Sequence, residues 1–379
     1  MDFTLTEEQV MIRDMARQFS DVELAPYAAQ WEEEKSLSRD VLTKAAELGF
    51  ASIYTKAEHG GSEMGRLDAA LIFEQLSRGC VSTAAFLSIH NMVTWMVDTF
   101  GDDALRARFV PKLATMEAIG SYCLTEPGSG SDAAAMKTKA VRDGDDYILN
   151  GTKAFISGAD FSDVYLIMAQ TPSSTGEKSI SAFLVENGTD GLSFGAQEKK
   201  MGWNAQPTAQ VILEDCRIPV ANRIGAEGAG FKFAMAGLDG GRVNIGACSL
   251  GGSGAALDAA IQYTGERQQF GKPISAFQNT QFKLADMATE LDAARLMIYR
   301  AGDSIDKNHA DKSSHCAMAK RFATDMGSKI ANDALQLHGG YGYLADYGIE
   351  RIVRDLRVHQ ILEGTNEIMR VIIARSLLR

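Results

Sequence analysis

The order in which hydrophobic patterns follow one another along the chain restricts its fold more than any other feature. Helical spacing holds up to about Glu117, short β-type stretches occupy Ser121 to about Val220, and helical spacing returns past Gly228. Strands that do not alternate with helices cannot build βαβ layers, so the chain reads as two helical units flanking a β unit. Ser38 predicts a capped helix over Arg39–Leu48 that Gly49 stops, and Leu71, Ile72 and Leu76, then Trp95, Met96 and Phe100, carry the helical spacing onward. In the middle, Tyr147–Gly151, Val164–Gln170, Ser181–Val185 and Ala209–Leu213 read as strands, with turn signals at Asp143–Gly144 and Asn150–Gly151. The expected result is a small antiparallel sheet or barrel. Long helices are expected over Phe231–Thr264, Gln278–His309, Ser313–Leu337 and Asn366–Leu378.

At 379 residues the chain is too long for one ordinary core. A formal charge of −11 argues against a general nucleic-acid binder, so an anionic ligand must meet local arginines. The five cysteines, at 80, 123, 216, 248 and 316, are odd in number and form no CxxC pair, which indicates buried thiols in a reducing compartment. The first residues form an amphipathic helix, and no apolar run reaches membrane-spanning length. The expected location is the cytoplasm of a bacterium, or the mitochondrial matrix for a processed eukaryotic chain.

A dinucleotide fold is excluded because its glycine fingerprint must lie between a strand and a helix. Gly251, Gly252 and Gly254 fall inside a helical stretch, where close packing is the expected role. Six other segments offer chemistry. Tyr122–Asp132 packs Pro127, Gly128, Ser129, Gly130 and Ser131 into a loop that presents N–H groups and hydroxyls. Phe155–Ser157 sets an aromatic face near a hydroxyl, and Gly237–Gly246 holds Arg242 among small residues. Glu266–Gln278 and Leu335–Leu344 are turns between helices; His338 in the second lacks an HExxH partner, so no metal is expected and a hydrogen bond to a neighbour or cofactor is. The sixth, Arg357–Arg370, sets Glu363 between Ile361–Leu362 and Gly364–Thr365, and apolar neighbours raise a carboxylate's pKa toward that of a general base. Taken singly, each has a plain structural reading as well: surface turn, ordinary strand, ion-paired arginine, loop glutamate.

Together, SYCLTEPGSGSD, GWNAQPT at Gly202–Thr208, RQQFGKPI, QLHGGYGYL and RDLRVHQILEGTNEIMR closely resemble the acyl-CoA dehydrogenase family, especially its short branched-chain members. The resemblance covers essentially the whole chain. It implies a mainly α fold with a helical domain over 1–118, a β-barrel-like domain over 119–226 and a four-helix domain over 227–379. It implies noncovalent FAD, a homotetramer, an acyl-CoA substrate and electron-transfer flavoprotein as electron acceptor, with no nucleic-acid or membrane partner.

Residue by residue, the resemblance sets Tyr122, Leu124, Thr125, Gly130 and Ser131 along the flavin, Ser131 also near the CoA thioester. Phe155 stands where many relatives carry tryptophan, followed by Ile156 and by Ser157, which replaces a common threonine. Arg267, Phe277, Gln278, Gln336, Leu337, His338, Gly339 and Gly340 match FAD-holding segments, partly across a subunit interface. Thr365, Asn366 and Glu367 match its phosphate and adenosine contacts. Asp239, Gly240, Gly241, Arg242 and Arg375 match CoA-side contacts, with Leu362 and Gly364 flanking the base, Glu363. Some relatives carry their base where this chain has Gly241, and glycine cannot take a proton. Leu362, where straight-chain relatives often have tyrosine, has two readings: room for a branch at the α-carbon, or core packing.

The implied reaction is α,β-dehydrogenation of a short branched acyl-CoA, with hydride passing to the flavin. Straight-chain and 2-methyl-branched substrates, direct use of oxygen, and a non-catalytic helical binding protein are the alternatives. The helix expected from Asn366 favours an anion at Glu363 and opposes the rise in pKa that burial produces.

Overall fold

The computed structural model describes residues 4–172 and 178–378. Thr6 and Gln9 form a reciprocal capping box that starts α1 (Glu7–Phe19), and a π-helical turn over Ser20–Leu24 leads to α2 (Ala28–Glu34). α3 (Arg39–Glu47) begins after Ser38 as expected, yet the Ser38 side chain makes no capping hydrogen bond. Burial of Val41, Leu42 and Ala45 fixes that helix instead. α4 (Arg66–Gly79), α5 (Val81–Phe100) and α6 (Asp103–Ala114) complete the first unit. α5 is buried on nearly every side, which its continuous apolar sequence allows.

The β unit consists of β1 (Gly120–Cys123), β2 (Lys139–Asp143), β3 (Asp146–Ser157), β4 (Val164–Pro172), β5 (Lys178–Glu186), β6 (Leu192–Phe194), β7 (Thr208–Pro219) and β8 (Arg223–Ile224). Its strand order is β6-β7-β3-β2-β4-β5-β8, with β1 paired to β4. It is not wholly antiparallel, since β1 and β2 both pair β4 in parallel. Neither reaches β4 through a tight hairpin, and only such a hairpin would force the antiparallel sense. β3 carries two bulges against β7, between Leu149 and Gly151 and between Lys153 and Ile156.

α7 (Gly230–Glu266) then runs through the middle of the molecule, packed against α9, α4 and α5. Its small residues let those helices approach: a Cβ on Gly251 would lie 2.0 Å from the Glu74 carbonyl oxygen of α4. The short pair β9 (Gln268–Gln269) and β10 (Lys272–Pro273) leads to α8 (Gln278–Asp306), α9 (Lys312–His338), α10 (Ile349–Arg357) and α11 (Asn366–Leu377). α8 ends three residues before the expected His309, where the chain turns back toward α9.

Candidate active site

The turn between α10 and α11 carries Glu363 in a left-handed conformation, φ 55°, followed by Gly364 at φ 85°. A non-glycine residue held there is strained, and its neighbours over-determine it. Arg242 of α7 donates from Nε to the Glu363 carbonyl at 3.3 Å, and Lys320 of α9 donates from Nζ to the Gly364 carbonyl at 2.8 Å. The carboxylate is thereby laid on Gly241: a Cβ there would sit 2.6 Å from Glu363 Oε2. Glycine at 241 is what leaves room for it.

Glu363 Oε2 is out of solvent and has no hydrogen-bond partner. Burial pushes the carboxyl pKa up to about 7, against the opposing charges of Arg242 and Lys320. Burial therefore prevails over the nearby cations that favour the anion.

Charged and aromatic residues surround this carboxylate. Arg242 is 5% exposed and pairs with Asp239 at 2.6 Å, and Asp239 also accepts from Ser313. Beside Gly240 lies Arg66, its guanidinium carbon 3.4 Å from the Tyr54 ring centroid and 4.7 Å from that of Trp95. Asn244 donates to the Tyr54 hydroxyl at 3.1 Å. Arg66 Nη1, Asn244 Oδ1 and the Tyr122 hydroxyl are buried without partners, like Glu363 Oε2. Burial raises the Tyr122 and Tyr54 pKa values, and the Glu363 charge adds to both shifts. Orphaned polar atoms concentrated around one carboxylate describe a site shaped for a polar reacting group.

From Tyr122 in β1 the chain enters the loop over 124–138, where Gly128 and Gly130 face open space. Buried Lys153 of β3 holds that loop from beneath, donating to the Leu124 carbonyl at 3.1 Å and to Glu126 at 2.8 Å. The second bulge of β3 turns Phe155 outward, with φ 58° and 68% exposure, whereas Ile156 is buried in the sheet core. Tyr122, Thr125, Ser131, Phe155 and Ser157 thus follow one another along β1, the loop and the end of β3. Leu124 and Ile156 are buried and offer only backbone.

Other expected contacts lie elsewhere. Arg267, Phe277, Gln278 and Gln336–Gly340 cluster where α7 and α9 end and α8 begins, about 37 Å along α7 from Gly241. His338 is turned inward there, stacked on Tyr263 at 4.5 Å, with Nδ1 bonded to the Ala334 carbonyl. Asn366 is also turned inward: its side chain is bonded to Lys320, Thr324 and Asp325 of α9. Thr365 caps α11 through the Ile368 N–H, Glu367 is exposed, and Arg375 is exposed near the far end of that helix. Leu362 is partly buried against the main apolar cluster. Tyr54, Arg66, Asn244 and Lys320 belong to the site without having been expected, because each is an ordinary helix or loop residue until tertiary packing places it.

Compared with known proteins, residues 6–117, 121–216 and 228–378 match the N-terminal, middle and C-terminal domains of acyl-CoA dehydrogenase. The chain belongs to the acyl-CoA dehydrogenase family. It is 53% identical to the mitochondrial isobutyryl-CoA dehydrogenases of Dictyostelium discoideum, over 98% of this chain and 90% of that one, and of Bos taurus, over 99% and 90%. Among solved structures, butyryl-CoA dehydrogenase of Megasphaera elsdenii is 35% identical over all of both chains, with a TM-score of 0.96. The FAD complex of PigA is 34% identical over 100% of this chain and 99% of the other, with a TM-score of 0.95.

As an enzyme of this family the protein uses FAD, and its residues fit that group. Phe155 offers an exposed aromatic face, Gly128 and Gly130 leave open ground, and the buried, unpartnered Tyr122 hydroxyl feels the Glu363 charge. Tyr122, Thr125, Ser131, Phe155 and Ser157 would hold the flavin end there. When bound, FAD would supply the electron acceptor for oxidation of an acyl-CoA.

Proposed function

We propose that the protein dehydrogenates isobutyryl-CoA to methacrylyl-CoA, as a step of valine breakdown, with Glu363 as the base that removes the α-proton. The observation that carries this reading is the unpartnered Glu363 oxygen on Gly241, in a carboxyl whose pKa is pushed up to about 7. A solvated carboxylate is far too weak for a thioester α-proton, and a buried one near neutrality is matched to that task. The identity to two isobutyryl-CoA dehydrogenases supports the branched substrate. Leu362 fits it too, being smaller and more flexible than a tyrosine. Electrons leave for electron-transfer flavoprotein, and the enzyme assembles as a homotetramer in which the cluster around Arg267 serves the FAD of a neighbouring subunit.

Anaerobic bleaching of the flavin by isobutyryl-, butyryl-, 2-methylbutyryl- and isovaleryl-CoA ranks the substrates, and isobutyryl-CoA should be fastest. Faster reduction by butyryl-CoA would overturn the assignment in favour of a straight-chain enzyme. Glu363→Gln should stay yellow and bind ligand while losing about 10²- to 10⁴-fold in rate, the scale expected when a general base is removed. An active variant refutes Glu363 as base.

A further inference from the structure

Lys320 is fully buried in α9, yet among the described residues no carboxylate is hydrogen-bonded to it. Its ammonium donates to two neutral oxygens, the Gly364 carbonyl at 2.8 Å and Asn366 Oδ1 at 2.9 Å. Asn366 in turn donates to Thr324 Oγ1 at 2.9 Å and to Asp325 Oδ1 at 2.7 Å, and Gln360 reaches the same Asp325 oxygen at 2.8 Å. The turn that carries Glu363 is therefore fastened to α9 on both sides of the base. Packing alone gives no reason for this, since an apolar side chain fills such a space without the cost of burying an ammonium.

We propose that Lys320 is a positioning residue for the base: its bonds to Gly364 and Asn366 hold Glu363 in its left-handed conformation over Gly241, and its charge keeps the carboxylate form accessible. This deepens the reading of Glu363 as base and rests on it. The charged and titratable groups that face Lys320 are Glu363 in the turn, Arg242 from α7, Asp325 on its own helix, Glu367 from α11 and His359. Glu363 is the anion that most favours the charged lysine, whose pKa burial brings down to about 8. The coupling is mutual, so removing the cation must raise the pKa of Glu363.

Two variants separate the parts of this role in the FAD-loaded enzyme. Lys320→Gln keeps an N–H donor without charge, and Lys320→Met keeps neither. Both should move the acid limb of the kcat/KM profile upward by about one pH unit. Lys320→Met should also lose about 10- to 100-fold in plateau kcat, the scale for a displaced base. Independently of turnover, the infrared carboxyl band of Glu363, taken as the difference from Glu363→Gln, should titrate at higher pH in either variant. If both variants merely lose thermal stability while the band and the profile keep their midpoints, Lys320 is structural and the proposal falls. If acyl-CoA does not bleach the wild-type flavin, the base reading fails, and the infrared midpoint still decides whether Lys320 controls Glu363.

Discussion

Glu363 is unfavourable for folding in two ways, being strained in its backbone and unpartnered at one buried oxygen. Both are costs that the proposed role as base would explain. The consequence for stability has a definite sign. The folded-state pKa of about 7 lies above the ordinary 4.5, so the fold favours the protonated form. That contribution is complete below about pH 4.5 and is lost as pH rises through 7. Glu363→Gln, permanently neutral, should melt higher than wild type at pH 8, by about 1–3 kcal/mol, with the gap closing toward pH 5. Calorimetry across that range checks it; a gap independent of pH would contradict the burial argument. Gly241 sets the complementary limit. A methyl group 2.6 Å from Oε2 must push the carboxylate aside. Gly241→Ala should therefore lower kcat by about 10- to 100-fold while FAD content stays unchanged.

At the scale of elements, β3 shows why part of the site was readable and part was not. Its alternation marked a strand at Tyr147–Gly151, but the two bulges shift its faces and extend it to Ser157, sending Lys153 inward and Phe155 outward. A lysine in a strand next to a polar turn reads as solvent-facing; this one is wholly buried. The long helices and the main strands were legible because their apolar periods are sustained. β2, β6, β8 and α10 were not, being short, or in α10 dense with charge. Glu363, Gly241 and Arg242 were legible from their motifs, whereas Arg66, Tyr54 and Lys320 depend on which helix faces meet. The Lys153–Glu126 pair can be tested directly. Lys153→Met leaves Glu126 buried without its cation and should cost about 3–5 kcal/mol in urea unfolding. If the pair acts as a clamp on the 124–138 loop, adding Glu126→Gln should recover much of that loss without restoring FAD retention. Recovery of both would reduce the pair to a stability element.

At the scale of the whole molecule, the expected cofactor residues around Arg267 stand about 37 Å along α7 from Gly241, and a rigid helix fixes that separation. Phe270 and Tyr343 near the far set are 93% and 83% exposed, the kind of surface that a second copy covers. One site would then take its base from one chain and its Arg267 from another, and mixed assembly distinguishes this from a site built within a single chain. Glu363→Gln removes the proposed base, and Arg267→Glu reverses a charge in the distant set; each variant alone should be nearly inactive. When the two are unfolded together and refolded with FAD, half the random pairs combine one of each. Every such pair holds one site with both residues intact and one with neither, so about a quarter of the wild-type activity should return. If each site were built from one chain, every site in the mixture would keep one defect, and the activity would remain at the level of the separate variants.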